Sequence, residues 1–491
     1  MYIKKKINHF TLYRFLPFLF CLAFFVTSCS KAELDEPIPD VSNDFNLKSF
    51  SFSTENPGIT SWISGNISSD WAPDRKQVRP LILVTVPEGC NLASLIPTFS
   101  IHEKAKLYIN DVEQKSGKTT CNFSDIAVIK VVAESGISTF YDIIVKNGDT
   151  YIDDMVYTLM KTFSLPGVSL SVSNGQRIIY NSAYGFADVE GRVKTTPKHL
   201  FRLASLSKQF TAVCVMKLYE EGKIDLDRNV FGTGGYLNDE YPGITGVKAT
   251  VTLRHFLQHN SGWRSDPLDP LLDNPIRLLP LDGQIKYMLN DCVQFNTPGT
   301  NYSYYNLGFA IAGLIIEKVS GKKFETYLKE VLALADITDI HVGKDRAGKR
   351  SNECIVYSQN GTNGYTYNMD VIAAAGGIIA STEELMKFIV RIDGKGTDDI
   401  LKKETINMMY TRSPTYNYAL GWRIGHRLFP GAHYHDGNLY GTSAIWCGDT
   451  DAGISAALLM NSRSYISTSE GSFSDSYYIL LGKIVAYFTG K

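Results

Sequence analysis

The chain has 491 residues, of which 44% are hydrophobic and 20% charged, so it has an ordinary globular composition and room for about two or three folded units. Its 49 basic and 50 acidic residues give a net charge of −1. This balance offers no electrostatic basis for binding nucleic acid, and no nucleic-acid partner is expected.

The N-terminus has the composition of a bacterial export signal. Lys4–Lys6 supply positive charge, and the short apolar run Phe15–Val26 follows. The next residues complete a lipobox-like Val-Thr-Ser-Cys, so residues 1–28 are predicted to be a lipoprotein signal peptide, with Cys29 lipidated. The alternative is that Cys29 is an ordinary residue near a standard cleavage site. Lipidation would make the membrane a partner through an anchor and predicts a cell-envelope location, at the outer membrane or cell surface.

A small β-rich module is predicted after this signal. Residues 29–44 are polar and read as a tether, and residues 45–147 carry short apolar or alternating runs between turns, which predict a β-sandwich. The module resembles Ig-like domains of bacterial surface lipoproteins, which implies spacing or binding rather than chemistry. Its two cysteines, Cys90 and Cys121, either pair as a disulfide or remain buried free thiols. The clearest predicted strands are Leu47–Phe52, Leu81–Val86, Lys106–Ile109, Ile126–Val132 and Thr139–Val145.

Residues 151–491 are predicted to form a second domain after a hinge at residues 147–149. Helical and strand patterns alternate there to the C-terminus. The predicted elements are a helix at Tyr151–Phe163, a hairpin of Gly167–Val172 and Arg177–Ala183, helices at Ser205–Glu221 and Leu307–Val319, strands within Ile445–Asn461, and a closing helix at Tyr477–Phe488.

The sharpest chemical signal is an S-x-x-K motif formed by Ser205 and Lys208 at the start of a predicted amphipathic helix. Residues three apart share a helix face, so the lysine can approach the hydroxyl. A serine needs an adjacent base to become a nucleophile, and a lysine serves as that base when burial or positive neighbours lower its pKa. The tetrapeptide alone carries little weight, because helix surfaces contain it by chance.

Two further motifs follow in order: Y-x-N at Tyr304 and Asn306, and H-x-G at His435 and Gly437. The order S-x-x-K, Y-x-N, H-x-G resembles that of the serine β-lactamase, D-peptidase and esterase superfamily, and is closest to its class C-like branch, over residues 152–486. The resemblance implies an α/β (α+β) fold with an antiparallel sheet flanked by helices and an all-helical subdomain, preceded here by the β-sandwich.

The resemblance also implies roles for individual residues. Ser205 would be acylated, while Lys208 and Tyr304 would share proton transfer. Asn306 would bind the substrate amide or orient Lys208. The chemistry requires no metal and no organic cofactor.

The H-x-G region is expected to bind substrate. Besides His435 and Gly437, Asn438 is expected to contribute its backbone N–H to an oxyanion hole, together with that of Ser205. His435 stands where many relatives keep a lysine, which is a permanent cation suited to a carboxylate. We therefore expect weaker binding of carboxylate-bearing substrates, β-lactams among them. Help from His435 should grow only below its ordinary pKa of about 6.5.

Two histidine pairs have spacings that could suit a metal ion. His255 and His259 are four apart on a predicted helix, and His433 and His435 are two apart on a predicted strand. The first pair lies in a structural segment of the resembled family and the second overlaps the H-x-G motif. No metal site is predicted.

The leading functional prediction is a serine hydrolase that acts through an acyl-enzyme on D-amino-acid peptides or related amides. Its partner would be a small peptide, amide or ester substrate. A carboxylesterase or a weak β-lactamase would use the same chemistry. A non-catalytic surface binding protein on a hydrolase scaffold is the third possibility, although a scaffold has no need to keep Ser205, Lys208 and Tyr304. The oligomeric state stays open.

Overall fold

The computed structural model describes residues 41–68, 79–265, 268–273, 275–448, 452–469 and 471–490. The predicted signal peptide, Cys29 and most of the tether lie outside these ranges. Within them, no helix is both long and apolar enough to cross a membrane.

The N-terminal part is a β-sandwich, as predicted. Its strands are β1 (Ser49–Phe52), β2 (Ile63–Ser64), β3 (Asn66–Ser68), β4 (Leu81–Val86), β5 (Pro97–Ser100), β6 (Lys106–Ile109), β7 (Val112–Glu113), β8 (Ala127–Val132) and β9 (Ser138–Asn147). They form a sheet β2-β1-β5 and a sheet β3-β4-β9-β8-β6-β7, in which β4 and β9 run parallel. Phe52 from the first sheet and Ile129 from the second share one apolar core, because alternate residues of each strand face inward.

Cys90 and Cys121 are both buried free thiols. Burial raises the pKa of Cys121 to about 11, and its Sγ lies 2.9 Å from Gln114 Oε1. The sequence left open a disulfide or two buried free thiols at these positions, and the structure has the free thiols.

The C-terminal part is built around a seven-stranded antiparallel sheet. Its helices are α1 (Thr150–Thr162), α2 (Ser207–Glu220), α3 (Leu253–Leu257), α4 (Leu281–Asn290), α5 (Asn306–Ser320), α6 (Phe324–Ala333), α7 (Thr382–Val390), α8 (Lys403–Tyr410) and α9 (Phe473–Thr489). Its strands are β10 (Gly167–Asn174), β11 (Arg177–Asp188), β12 (Val193–Lys194), β13 (Phe201–Arg202), β14 (Ile340–Val342), β15 (Tyr357–Ser358), β16 (Ile378–Ala380), β17 (Arg423–His426), β18 (Phe429–Leu439), β19 (Thr442–Gly448), β20 (Ile454–Met460), β21 (Ser462–Arg463), β22 (Ser467–Thr468) and β23 (Gly471–Ser472). The main sheet has the order β12-β11-β10-β20-β19-β18-β17.

The two faces of this sheet bury two different cores. Trp446 of β19 belongs to the core that contains α2 and α5, whereas Ile445 and Cys447 belong to the core that contains α1 and α9. Successive strand residues point to opposite faces, so one apolar strand serves both layers of helices.

The N-terminal sandwich packs directly on the C-terminal part. Leu83 of β4 and Ile144 of β9 share an apolar core with Val156 of α1. Gly148 and Asp149 separate β9 from α1, and Asp149 caps the helix by accepting from Tyr151 N at 3.0 Å. The chain from Asn43 onward thus forms one compact unit, so the predicted hinge is a short, packed connection.

A buried carboxylate ties the two parts together. Asp153 of α1 lies 2.8 Å from Lys146 Nζ and accepts from Thr85 Oγ1 at 2.7 Å, both in the sandwich. The hydroxyls of Tyr180 and Tyr184 in β11 donate to its other oxygen at 2.5 Å each. Every oxygen of this buried carboxylate is satisfied, as burial of a charge requires.

Candidate active site

Ser205 lies in a tight turn between β13 and α2. The turn, Ala204–Leu206, is a single 3-10 turn, and α2 begins at Ser207 rather than at Ser205 as predicted. Ala204 has φ of 49° in the left-handed region, which is rare for a residue with a Cβ. Such strain is held in place by surrounding structure and is concentrated at functional sites.

Lys208 is fully buried one residue into α2. Its Nζ lies 3.1 Å from Ser205 Oγ, 2.8 Å from Asn306 Oδ1 and 2.7 Å from the carbonyl oxygen of Ala375. A neutral amine has two N–H donors and one lone pair, so it can donate to the two carbonyl-type oxygens and accept from the serine hydroxyl.

The surroundings of Lys208 favour this neutral form. Burial lowers the pKa of Lys208 to about 7, against the opposing effect of Asp269, which raises it. The nearby Arg423 lowers it further, and Asp436 raises it. An amine with this pKa is half deprotonated near neutrality, as a general base should be.

Tyr304 stands beside this pair, at the end of the segment that leads into α5. Lys208 Nζ lies 4.9 Å from the centre of its ring. Burial raises the pKa of Tyr304, and its nearness to Ser205 lowers it in part. Its buried hydroxyl makes no well-formed hydrogen bond with a described residue. The phenol therefore stays protonated near neutrality.

His259 holds the segment that carries Tyr304. Its Nδ1 accepts from Tyr305 N at 3.0 Å, its carbonyl oxygen accepts from Ser303 N at 2.7 Å, and its ring centre lies 4.1 Å from that of Tyr304. Burial lowers the pKa of His259 well below its ordinary value, so its ring is neutral. His259 therefore has a structural role beside the candidate active site.

Asn306 connects Lys208 to a carboxylate that the sequence motifs did not reveal. Its Oδ1 faces Lys208 and its Nδ2 donates to Asp269 Oδ2 at 2.8 Å. Of the two roles expected for Asn306, this contact fits the orientation of Lys208. Asp269 stands between apolar residues in Leu268–Leu272, and this was its sequence signal.

The structure does not place His435 as a charged group facing substrate. It is fully buried, with Nε2 2.9 Å from the Tyr418 hydroxyl and Nδ1 2.6 Å from the carbonyl oxygen of Asp436. Burial, and then the positive charge of Arg423, lower the pKa of His435 to about 3. The expectation that it gains charge below pH 6.5 is therefore wrong, because the ring is removed from water beside a cation.

Two arginines, missed in the sequence, supply permanent positive charge to the cleft instead. Arg423 lies on β17, with Nε 3.3 Å from Asp436 Oδ1. Asp436 holds the pKa of Arg423 above its ordinary range, although burial opposes this. Arg463 lies on β21, with its guanidinium 5.0 Å from the centre of the Tyr465 ring. Both side chains line the same cavity as Ser205.

This cavity has a volume of about 250 Å³. Of the residues expected to act or bind here, it exposes Ser205, Tyr304, Asn306 and Asn438, while Lys208 and His435 lie behind its wall. Gly437 lets β18 pass against the turn of Ser205, where a Cβ would meet backbone atoms. The remaining lining residues are Leu271, Leu272, Ile372, Ala375, Gly376, Arg423, Asp436, Leu439 and Arg463.

The histidine pairs considered for a metal have other partners. His255 Nδ1 accepts from Thr252 N at 3.1 Å in the cap of α3, and the ring of His433 stacks 3.7 Å from that of Tyr410. In the described ranges, no group of three or more His, Cys, Asp or Glu side chains is placed to hold a metal ion.

An antiparallel sheet flanked by helices, with a serine, a buried lysine and a tyrosine at one cleft, defines a protein of the β-lactamase and penicillin-binding-protein type. The beta-lactamase family profile matches residues 152–470, well over half of the chain. The chain belongs to the beta-lactamase family.

Known proteins match this chain at low sequence identity. Protein flp of Staphylococcus aureus (strain N315) is 26% identical over 179 residues, which are 36% of this chain and 34% of that protein. The alignment thus spans about a third of the length of this curated relative. The octameric penicillin-binding protein homologue from Pyrococcus abyssi superposes with a TM-score of 0.58 and 25% identity, over 70% of this chain and 77% of its own. D-alanine carboxypeptidase AmpC from Burkholderia cenocepacia superposes with a TM-score of 0.54 and 17% identity. The superposition covers 68% of this chain and 97% of that protein's chain.

Proposed function

We propose that this protein is a serine hydrolase that forms an acyl-enzyme on Ser205. The observation that carries the proposal is the approach of Lys208 Nζ to Ser205 Oγ at 3.1 Å, by an amine whose other two contacts are acceptors. In its neutral form this amine has one lone pair, which can accept a hydrogen bond from the Ser205 hydroxyl.

The reaction proceeds in two halves. As Ser205 Oγ bonds to the substrate carbonyl carbon, its proton passes to Lys208, and the carbonyl electrons move to oxygen. The intermediate collapses, the bond to the leaving amine or alcohol breaks, and the leaving group takes a proton from the Tyr304 hydroxyl, which Lys208 then replenishes. Water attacks the acyl-enzyme in the second half, giving its proton to the same relay, and Ser205 leaves with a proton.

The developing oxyanion is proposed to lie between the backbone N–H groups of Ser205 and Asn438. The close approach of β18 at Gly437 supports this arrangement, because it brings the strand against the turn of Ser205. Fixed donors of this kind act in a partly desolvated cleft, where each contributes on the order of 10²–10³ to kcat.

The proposed substrates are peptides or related amides that contain D-amino acids. Arg423 and Arg463 support a substrate with a carboxylate near the scissile bond, because both guanidinium groups line the cavity of Ser205. One solved structure that shares the fold is named a D-alanine carboxypeptidase. The same acyl-enzyme chemistry would also cleave esters.

A covalent probe tests the nucleophile. A serine-directed fluorophosphonate is expected to label the wild type on the peptide that contains Ser205, and Ser205→Ala should not react. Ser94→Ala, an exposed serine of the N-terminal sandwich, is the control and should still be labelled. Labelling of Ser205→Ala at the wild-type rate would refute the assignment, and a fully inert wild type would favour the non-catalytic alternative.

A substrate panel then separates the remaining alternatives. D-peptides, neutral esters and a β-lactam should be compared with wild type and Ser205→Ala side by side. The proposal requires Ser205-dependent turnover of a D-peptide. Turnover confined to esters would make the protein a carboxylesterase, and turnover confined to the β-lactam would make it a β-lactamase.

We further propose export and lipidation at Cys29, as the N-terminal sequence suggests. The protein should sediment with membranes and incorporate radiolabelled palmitate when expressed in a bacterium, and Cys29→Ala should abolish both. Membrane association that persists in Cys29→Ala would contradict the lipid anchor.

A further inference from the structure

Asp269 is a buried carboxylate that the proposed reaction does not use. It is only 3% exposed, and lies in the loop between α3 and α4. Its Oδ2 accepts from Asn306 Nδ2 at 2.8 Å, and its Oδ1 accepts from Leu271 N at 3.0 Å. Burial raises the pKa of Asp269, while these hydrogen bonds and the Lys208 charge lower it.

The amide of Asn306 lies between this carboxylate and Lys208. An amide has a donor end and an acceptor end, and only one orientation suits both neighbours. With Oδ1 toward Lys208 and Nδ2 toward Asp269, each contact joins a donor to an acceptor, at 2.8 Å on both sides. The reverse orientation would set a donor against Lys208 and an acceptor against Asp269.

We propose that Asp269 is a positioning residue, which fixes the Asn306 amide so that the Lys208 amine stays aimed at Ser205 Oγ. The inference rests on the proposed hydrolase function and extends it to a residue outside the three motifs. Asp269 does not touch the reacting atoms, and it acts through Asn306 and through its charge.

The charge of Asp269 has a second, separable effect. A nearby carboxylate favours the protonated form of an amine, and Asp269 is the largest influence that raises the pKa of Lys208. Without it, burial would lower that pKa further. Asp269 therefore limits the decrease in the pKa of Lys208 that burial causes.

None of the other groups around Lys208 raises its pKa as much as Asp269 does. Arg423 of β17 lowers the pKa of Lys208, and Asp436 of β18 raises it less than Asp269 does. The rings of His435 and His259 are neutral, since burial lowers the pKa of both. The Tyr304 ring and the Ala375 carbonyl oxygen complete the surroundings and carry no charge.

Two substitutions separate the positioning of the Asn306 amide from the effect of the Asp269 charge on Lys208. Asp269→Asn keeps an acceptor for Asn306 and removes the charge, so the pH at which the base is half active should fall by about one unit, with little loss of the plateau rate. Asp269→Ala also releases the amide, so the plateau should fall by about tenfold to a hundredfold in addition. Asp282→Asn, an exposed acid of α4 paired with Lys286 at 2.8 Å, is the control and should leave both quantities unchanged.

The experiment measures fluorophosphonate labelling of Ser205 against pH in the full-length protein, with thermal melting as a check of folding. A lower midpoint pH in Asp269→Asn, together with a lower plateau rate of labelling in Asp269→Ala, would support the proposal. A wild-type plateau rate in Asp269→Ala, or a loss of rate that merely follows a loss of folded protein, would overturn the positioning role. A wild-type midpoint in Asp269→Asn would overturn the charge effect.

A direct titration keeps this test separate from the proposed function. In protein with isotope-labelled lysine side chains, the NMR signal absent from Lys208→Ala reports the protonation of Lys208. Its midpoint should be lower in Asp269→Asn than in wild type even if Ser205 reacts with no probe. An inert Ser205 with a shifted Lys208 midpoint would refute the hydrolase and retain the effect of the Asp269 charge, whereas an unshifted midpoint would refute that effect.

Discussion

Gly437 and Ser205 are in direct backbone contact: a Cβ built on Gly437 would lie 3.0 Å from Ser205 N and 2.4 Å from the carbonyl oxygen of Leu203. The contact with Leu203 is closer than a Cβ atom can approach, and the contact with Ser205 is tighter than nearly all Cβ contacts. The glycine of the H-x-G motif is thus required by the space between β18 and the turn of Ser205.

Gly437→Ala should therefore inactivate the protein. The methyl group must push β18 away from Ser205, and a displacement of about 1 Å in an active site costs on the order of 10²-fold in rate. The measurement is kcat/KM on an ester, together with the melting temperature. Gly283→Ala on α4 is the control, since its Cβ would lie 3.2 Å from the Leu279 Cβ and alanine favours a helix. Full activity in Gly437→Ala would contradict the placement of β18.

The activity should fall in acid with a midpoint near pH 7. Burial lowers the pKa of Lys208 to about 7, and below this value the amine is protonated and cannot accept the serine proton. Because this pKa is depressed on folding, the free energy of unfolding should also gain from Lys208 as the pH rises from about 7 to 10. A profile of kcat/KM from about pH 5 to 11 measures the midpoint. A midpoint near 10, as for an ordinary lysine, would contradict the buried base.

Tyr304→Phe should lower the rate without lowering stability. A general acid or base contributes about 10²–10⁴-fold to the rate. The Tyr304 hydroxyl is buried without a well-formed bond to a described residue, so its removal strands no partner. Tyr305→Phe is matched, because its hydroxyl is likewise buried and unbonded but lies outside the cleft. Kinetics and thermal melting of both variants should show a loss of kcat in Tyr304→Phe alone.

Arg423→Gln should weaken the preference for carboxylate-bearing substrates. A charge-assisted hydrogen bond contributes about 1.5–3 kcal/mol, roughly 10-fold to 150-fold in kcat/KM. The measurement is the ratio of kcat/KM for a substrate pair that differs only in the carboxylate. Arg412→Gln, an exposed arginine that donates to Asn417 at 2.9 Å, is the control. An unchanged ratio in Arg423→Gln would assign carboxylate recognition to other residues, with Arg463→Gln as the next variant.

Lys146→Met should destabilise the whole folded unit. It leaves Asp153 buried without its cation, and breaking a buried ion pair from one side costs about 3–5 kcal/mol. Lys106→Met, in an exposed pair with Glu113 at 3.4 Å, should cost less than about 1 kcal/mol. Denaturant unfolding measures both. A single transition that shifts in Lys146→Met would show that the sandwich and the C-terminal part unfold together.

The three motifs were enough to predict the fold and the cluster of Ser205, Lys208 and Tyr304. Two of these residues share a local turn, and the order of the motifs defines the family's topology. The start of α2 was placed two residues early, because Ser205 and Leu206 belong to a 3-10 turn that precedes the helix. Such a turn leaves no mark in hydrophobic spacing.

Contacts between distant parts of the chain could not be predicted. Asp269 meets Asn306 across 37 residues, and Arg423 is brought to the cleft by pairing with Tyr434 on the neighbouring strand. The environment of His435 was misjudged for the same reason. Residues of a strand alternate between faces, and the sequence does not say which face is dry.

The lowered pKa of the Lys208 amine affects how the reaction rate changes during hydrolysis in weakly buffered solution. Hydrolysis of an ester near neutral pH releases one proton per turnover, while hydrolysis of an amide also frees an amine that takes up a proton. In weakly buffered solution, ester turnover would acidify the medium, protonate Lys208 and slow itself, since the pKa of this base is about 7. Amide turnover would leave the protonation of Lys208 unchanged, so the shape of an unbuffered progress curve distinguishes the two substrate classes.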